Sequence, residues 1–240
     1  MHPHLSYKII SLGDAALTID FGNLINESIN KKVITLFHNL QHKPIQGMVE
    51  AVPAYSSLTI YYDVISLYKN IPDGKTVFEW MKDQTEKYLK EKIETENKEE
   101  VTVIIPVCYD KEFASDIDHI AAKKNISPEE IVQIHTSRSY RVYMLGFLPG
   151  FAYMGEVDDI IIIPRKPTPQ NVIAGSVGIA GQQTGVYPLN SPGGWQIVGR
   201  TPVKMFDKEK KEPTLVKAGD HVRFISISKD EFENIKGRNS

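Results

Sequence analysis

A run of 33 residues without one charged side chain, Pro167 to Gly199, constrains this chain more than any other stretch. The run reads PTPQNVIAGSVGIAGQQTGVYPLNSPGGWQIVG, whereas charged residues make up 24% of the whole sequence. Glycine allows positive φ angles and lets another backbone or a ligand approach closely. Arg165 and Lys166 precede the run, and Arg200 follows it. An uncharged, glycine-rich wall flanked by cations predicts a binding surface for a small, polar, anionic molecule.

The composition excludes several classes of partner. A net charge of -2 leaves no basic excess for a phosphate backbone, so nucleic acid is not an expected partner. No apolar run reaches the roughly 20 residues of a membrane span, and the N-terminus lacks the basic and apolar regions of a signal peptide. We therefore expect a cytoplasmic protein without membrane contact. The single cysteine, Cys108, can form no internal disulfide, and no histidine pair has metal-ligand spacing, so no metal site is predicted.

Residues 1–97 predict a small α+β domain. β-Forming stretches over 5–22 precede a helix that Asn23 or Asn26 can cap, and apolar residues at helical spacing continue this helix to Lys43. Two strands, 45–53 and 56–64, and a second helix, 75–93, come next. This order is close to a split βαβ arrangement. The charged run EKIETENKEE that follows indicates a domain boundary.

Residues 98–240 predict a second, mainly β domain. It opens with a strand over 101–108 and two helices, and the second helix begins with the capping box Ser127-Pro128-Glu129-Glu130 and ends near His135. From Tyr140 onwards, short β-forming pieces alternate with Gly/Pro turns, which indicates a closed or partly closed β-barrel. Only a last helical turn is expected at the C-terminus.

Two features ahead of the charge-free run are candidates for function. His135 stands at a predicted helix C-terminus, where the helix dipole favours the protonated ring. It is either an acid–base or anion-binding group or simply a capping histidine. The loop GFLPGFAY (146–153) spaces its aromatic residues in a way that fits neither helix nor strand. Phe147 therefore lines a pocket or packs into a core, and the sequence leaves both interpretations open.

The run itself offers polar groups but no complete catalytic machinery. Its glycines do not form a phosphate loop, because no Lys-Ser or Lys-Thr follows them, and close-packed strands explain them equally well. Gln183 and Thr184 provide donors and acceptors for an amide or a carboxylate. The turn at 193–195 adds an aromatic face, and Arg200 either binds a carboxylate ligand or pairs with a structural carboxylate. The sequence thus predicts a binding site more clearly than a catalytic one.

These motifs resemble the KipI family, also called allophanate hydrolase subunit 1 and, more recently, the B subunit of the three-component bacterial 5-oxoprolinase. The resemblance rests on HTSRSYRVYMLGFLPGFAYMG (135–155), Pro164–Arg165 and AGSVGIAGQQTGVYPLNSPGGWQIVGRT (174–201). It implies an α+β domain followed by a cyclophilin-like β-barrel domain. The family's motif positions match here at His135, Phe147, Pro149, Gly150, Arg165, Gln183, Thr184, Tyr187, Pro192, Gly193, Gly194, Trp195 and Arg200.

The resemblance also implies a function. The chain would belong to an ATP-consuming 5-oxoprolinase that opens the lactam of 5-oxoproline (pyroglutamate) to glutamate, together with a separate A component and a homologous C component. Whether ATP binds this chain is left open. His135 would move a proton and Arg200 would hold a carboxylate or phosphate, as catalytic residues. The expected substrate-binding residues are Phe147, Arg165, Gln183, Thr184, Tyr187, Gly193, Gly194 and Trp195.

Three alternatives stay open. The older family name comes from a protein that inhibits a sporulation kinase, so the chain would instead be a regulator that binds a sensor histidine kinase. A component of an enzyme acting on urea or allophanate is the second alternative. Prolyl isomerase activity is the third, and it is suggested by the barrel fold alone, which is a weak argument.

Overall fold

Contacts within the chain divide it into two units, Met1–Glu99 and Glu100–Ser240. The structure is a computed structural model that describes residues 6–90 and 101–238. The predicted domain boundary between residues 97 and 98, and the end of the helix predicted over 75–93, lie outside the described residues. Each unit has its own hydrophobic core.

The N-terminal unit is a four-stranded sheet packed against helices. The strands stand in the order β1-β2-β4-β3, and each neighbouring pair is antiparallel, so β4 lies between β2 and β3. The elements are β1 (Lys8–Ser11), β2 (Ala16–Asp20), α1 (Glu27–His42), β3 (Met48–Pro53), β4 (Ser57–Tyr62), α2 (Val64–Tyr68) and α3 (Val77–Lys90).

Alternation and capping explain these elements. Leu58 and Ile60 of β4 are fully buried, and Thr59 between them turns to the other face of the sheet. Val33 and Leu40 of α1 fill the same core at helical spacing. The helix begins where Asn26 Oδ1 accepts a hydrogen bond from the Ile29 amide at 3.1 Å, which confirms Asn26 as the cap.

The C-terminal unit combines helices with a seven-stranded sheet and a two-stranded ribbon. The sheet has the order β12-β9-β10-β7-β6-β13-β5, and the ribbon pairs β11 with β8. The elements are β5 (Thr102–Val107), α4 (Ile117–Lys124), α5 (Pro128–Thr136), β6 (Ser139–Leu145), β7 (Ala152–Gly155), β8 (Gln170–Val172), β9 (Ser176–Ala180), β10 (Gln183–Val186), β11 (Ser191–Gly193), β12 (Gln196–Arg200), β13 (His221–Ser226) and α6 (Lys229–Arg238).

The seven-stranded sheet curls into a nearly closed barrel. Its two outer strands, β5 and β12, meet where the Cys108 amide donates to the Arg200 carbonyl at 2.8 Å and the Arg200 amide donates back at 2.9 Å. Buried residues from all seven strands form one core inside. The sequence-based expectation of a mainly β, barrel-containing unit is confirmed at this level, as is the Ser127–Glu130 capping box of α5.

One sequence prediction was too short. The C-terminus was expected to hold a last helical turn, but α6 is a helix of 10 residues. Phe232 is its one buried residue, and its ring lies 4.6 Å from that of Phe113. A single apolar anchor gives no helical periodicity to detect, which is why the helix was missed. No helix within residues 6–90 or 101–238 is long and apolar enough to cross a membrane.

Candidate functional site

His135 lies inside the barrel unit and is fully buried. Its Nε2 is 2.9 Å from the Thr184 hydroxyl, and its Nδ1 is 2.8 Å from the Tyr109 hydroxyl. Because Thr184 donates its own proton to the Gly178 carbonyl at 3.1 Å, its oxygen accepts from Nε2–H, and Nδ1 accepts from Tyr109. Both ring nitrogens are therefore occupied by protein groups.

The surroundings of His135 keep the ring neutral. The imidazole stacks on Phe224 with ring centres 4.7 Å apart. Burial lowers the pKa of His135 from 6.5 to about 3, because no charged partner compensates for lost hydration. Proton exchange between His135 and a ligand would require at least one of these hydrogen bonds to open. Its catalytic role stays a prediction, and the geometry instead favours a structural histidine.

The strands β9 and β10 form a wall with two different faces. Val177, Ile179 and Val186 turn inward and join the barrel core. Gly178 and Gly185 turn outward, where a Cβ on either would lie 3.0 Å from atoms of Trp195. The glycine-rich run is thus a thin wall on which an indole packs from outside.

This alternation divides the predicted site residues into two groups. Thr184 and Gly185 are neighbours on β10, so their side positions point to opposite faces. Thr184 contacts His135 inside the barrel, whereas Gly185 faces Trp195 outside. His135 and Thr184 are therefore separated from Trp195 by the wall itself. Gln183, at the start of β10, is partly exposed.

Aromatic side chains form a cluster on the outer face of the wall. The ring of Phe151 stands at its centre, and other rings approach in T-shaped contacts at 4.8–5.6 Å. Most of the cluster is buried, but the side chain of Phe147 is 61% exposed and its φ angle is +69°. The members of this aromatic cluster are Phe147, Phe151, Tyr153, Tyr187 and Trp195.

The Gly193–Gly194 turn joins the aromatic cluster to Arg165. A Cβ on Gly193 would lie only 2.6 Å from Cζ of Tyr187, so the phenol occupies space that only glycine leaves open. A Cβ on Gly194 would lie 3.5 Å from Nε of Arg165, so the exposed guanidinium passes beside the turn. The structure therefore brings together the predicted residues Arg165, Tyr187, Gly193, Gly194 and Trp195, with Phe147 at the margin.

The phenols beside Arg165 are neutral donors at neutral pH. Burial raises the pKa of Tyr187, against a backbone hydrogen bond at Trp195 and the charge of Arg165. Burial also raises the pKa of Tyr153, and Arg165 again acts in the opposite direction. Arg165 is thus within electrostatic reach of both hydroxyl groups. An exposed guanidinium of this kind suits a carboxylate or phosphate.

Two cations adjacent in sequence have different partners. Lys166 Nζ lies 2.7 Å from Oδ2 of Asp116 in a pair whose side chains are only 12% and 15% exposed. Arg165 has no carboxylate within ion-pair distance among the residues that the structure describes. The guanidinium of Arg165 is therefore available to an anionic ligand.

Arg200 directly follows the charge-free run, at the opposite end from Arg165. Its Nε donates to the Ala174 carbonyl at 2.9 Å, while its backbone closes the barrel with Cys108. The sequence left open a pairing with a structural carboxylate, and the described parts of the chain contain no such ion pair. Arg200 and Arg165 thus contact different segments, Ala174 and Gly194.

The sequence singled out the aromatic residues of GFLPGFAY, but of these it named only Phe147 as a site residue. The whole segment was expected to be a loop, whereas Tyr153 lies in β7 and Phe151 directly precedes that strand. Asp116 gave no signal, because it lies about 50 residues from Lys166 in sequence. Within residues 6–90 and 101–238, no group of three or more His, Cys, Asp or Glu side chains has the arrangement of a metal site.

Residues 7–216 match the family described as carboxyltransferase domain, subdomain C and D. The 5-oxoprolinase B subunit of Bacillus subtilis (strain 168) is 44% identical over 96% of this chain and 97% of its own length. The 5-oxoprolinase B subunit of Escherichia coli O157:H7 is 34% identical over 89% of this chain and 93% of its own length.

Solved structures resemble the chain as well. The crystal structure of TTHA0988 is 34% identical and superposes with a TM-score of 0.74 over 89% of this chain, which spans 40% of that longer protein. The urea amidolyase of K. lactis gives the same TM-score at 19% identity, with this chain spanning 15% of its length. The latter likeness concerns the fold alone.

Proposed function

This chain belongs to the 5-oxoprolinase B-subunit family of carboxyltransferase-domain (subdomain C and D) proteins, and on that premise we propose that it is the B subunit of an ATP-consuming 5-oxoprolinase. The complex opens the lactam of 5-oxoproline to L-glutamate in the cytoplasm. Its other members are an A component and a C component that is homologous to this chain. The observation that carries this proposal is the 44% identity to the B. subtilis protein, which covers both chains almost end to end.

The outer face of the barrel wall is the proposed substrate contact. The exposed guanidinium of Arg165, which passes beside Gly194, suits the carboxylate of 5-oxoproline. The exposed ring of Phe147 suits the apolar side of a five-membered lactam, and the buried Trp195 supports the aromatic cluster behind it. Preorganised donors of this kind stabilise the anion that develops as an amide is opened.

ATP is assigned to another part of the complex. The three spaced glycines of the run have structural roles in the barrel wall: Gly175 and Gly181 have φ angles of +86° and +58°, and Gly178 packs on Trp195. No lysine follows them in a phosphate-loop position. The residues present do not fit a phosphate loop, so this chain is proposed to contribute mainly substrate contacts, with Arg200 as a candidate contact to a phosphate.

The other predicted site residues are His135, Thr184, Gln183 and Arg200, and their proposed roles differ. His135 and Thr184 fix α5 against β10 from inside the barrel and so support the wall under Trp195. Gln183 lies on the outer face at the start of β10. Arg200 is proposed as a second cation at the end of the run, where it contacts either the substrate's carboxylate or a phosphate in the assembled complex.

We also propose a fold class for each of the two units. A split βαβ class for the N-terminal unit is supported by the position of β4 between β2 and β3, which α1 connects. A cyclophilin-like class for the C-terminal unit is supported by the curled seven-stranded sheet.

Assays of three activities separate the candidate functions. The chain is combined with the A and C components, and the release of glutamate from 5-oxoproline and ATP is compared with the release of ammonia from urea or allophanate. Inhibition of a sensor histidine kinase's autophosphorylation is measured in parallel. We expect glutamate release alone to depend on this chain. Urea chemistry has weaker support, because the urea amidolyase of Saccharomyces cerevisiae is 28% identical over only 50% of this chain.

A further inference from the structure

We infer that Asp116 is a positioning residue for anion binding: its ion pair with Lys166 fixes the segment 164–166 so that Arg165 is presented, without a counter-ion, to the substrate's carboxylate. This inference rests on the proposed function and specifies how the site works. It assigns different roles to two neighbouring cations: Lys166 anchors the segment, and Arg165 binds the carboxylate.

The first step of the argument is that the segment is fixed on both sides of Arg165. The Pro164 carbonyl accepts a hydrogen bond from Gln196 Nε2 at 3.1 Å. The Lys166 amide donates to the Gly194 carbonyl at 2.6 Å. Both partners belong to or adjoin β12, so the backbone that carries Arg165 is attached to the barrel wall immediately before and after this residue.

The second step is that Asp116 joins this segment to the wall. One carboxylate oxygen, Oδ2, receives both the Lys166 ammonium at 2.7 Å and the Ile197 amide at 2.7 Å. The Asp116 amide in turn donates to the Ile197 carbonyl at 3.0 Å. Asp116 therefore contacts the anchored cation and strand β12 at once. Its side chain does not cap α4, although it stands at the start of that helix.

The third step concerns charge. A lysine whose side chain is only 12% exposed is unfavourable without a counter-ion for its ammonium. If Asp116 loses its charge, Lys166 gains by turning towards water, and the segment loses one of its attachments. Arg165 would then sample more orientations. It would bind a carboxylate less tightly, because a mobile guanidinium loses more conformational entropy on binding than a preorganised one.

The experiment compares Asp116→Asn with Asp118→Asn in the complete three-component enzyme. Both residues lie at the start of α4, and Asp118 forms only an exposed pair with Lys111 at 3.2 Å. We expect Asp116→Asn to raise the KM for 5-oxoproline roughly three- to tenfold with little change in kcat or in the KM for ATP, and Asp118→Asn to change neither. Arg165→Gln should raise the same KM by roughly tenfold or more, as the loss of a charged hydrogen bond does.

A double variant separates positioning from a merely structural role. In the Arg165→Gln background, Asp116→Asn should add no further increase in KM, since Asp116 acts through Arg165. If the two substitutions instead raise the KM for 5-oxoproline independently, so that their effects multiply, the inference is overturned. An unchanged KM for 5-oxoproline in Asp116→Asn would also overturn it. So would a rise in the KM for ATP alone, which would indicate a phosphate ligand.

The proposed function has a separate outcome. If the wild-type complex releases no glutamate, the proposed function is wrong. The inference about Asp116 is then tested by equilibrium dialysis, which measures the binding of radiolabelled 5-oxoproline to the full chain together with the homologous C component. Binding that is weakened by Asp116→Asn but not by Asp118→Asn supports it. If the wild-type chain does not bind 5-oxoproline, or if Asp116→Asn and Asp118→Asn bind it equally well, the inference is overturned.

Discussion

The imidazole Nε2 of His135 donates to the Thr184 hydroxyl across 2.9 Å, and this contact ties the end of α5 to the inner face of the barrel wall. The outer face of the same wall carries Trp195 and the turn beside Arg165. One wall therefore separates a buried, uncharged network from the cation that is available to a ligand. This separation underlies the predictions that follow.

The first prediction concerns pH. His135 has a folded-state pKa of about 3, below the value of about 6.5 in an unfolded chain. Between these values the unfolded state binds the proton and the folded state does not, so the contribution is fully present above pH 6.5 and is lost as the pH falls towards 3. We expect the free energy of unfolding of the barrel unit to fall by up to ~1.4 kcal/mol per pH unit from this residue.

The measurement is urea unfolding at pH 7 and pH 5, followed by Trp195 fluorescence in a Trp80→Phe background. The substitution isolates the barrel signal, since these are the 2 tryptophans of the chain. His135→Gln, which cannot titrate, should show a smaller pH slope than the parent, because all other histidines are common to both proteins. Equal slopes would contradict a neutral, buried His135.

The second prediction compares adjacent glycines. Gly193→Ala would force a Cβ to within 2.6 Å of a ring carbon of Tyr187, and such overpacking costs about 1–3 kcal/mol. At Gly194 the nearest atom to an added Cβ is 3.4 Å away, so Gly194→Ala should change stability by less than ~0.5 kcal/mol. Thermal unfolding of the two variants checks this, and equal stabilities would show that Tyr187 is not packed against the turn.

The third prediction concerns Arg200. Its barrel-closing hydrogen bonds with Cys108 are made by the backbone, so Arg200→Ala should fold and assemble. Its side chain loses only the hydrogen bond to Ala174, which contributes roughly 0.5–1.5 kcal/mol. We expect the complex to lose its activity while the circular dichroism spectrum is retained. Activity near the wild-type level would remove Arg200 from the site.

The fourth prediction concerns Phe147, whose ring is 61% exposed and whose φ angle is +69°. Phe147→Gly relieves a backbone conformation that costs other residues about 1–2 kcal/mol and removes a ring contact with Phe151 of similar size. Stability should therefore change little, whereas the KM for 5-oxoproline should rise. A variant that unfolds at a markedly lower temperature with an unchanged KM would make Phe147 a packing residue.

Local signals in the sequence predicted much of the architecture. Asn26 and the Ser127 capping box begin helices through contacts with residues three positions ahead, and the alternation of strand β4 is visible within six residues. The glycine spacing was also interpretable, since the alternative of close-packed strands is the arrangement found at Gly178 and Gly185.

The site required distances that the sequence does not contain. The sequence left His135 open between an acid–base or anion-binding group and a capping histidine; the structure shows that it meets the glycine-rich wall from the inside, through Thr184. Asp116 is the counter-ion of Lys166 but not of Arg165, and folding brings this carboxylate to Lys166 from a helix start that is distant in sequence. Periodicity identifies which residues alternate, but only the closed barrel determines which face receives a ligand.

The most direct test is the rate of glutamate formation from 5-oxoproline and ATP by the A and C components, with and without this chain. We expect no turnover when the chain is omitted, full turnover when the wild-type chain is restored, and a strongly raised KM for 5-oxoproline when Arg165→Gln replaces it. Equal turnover with and without the chain would contradict the account.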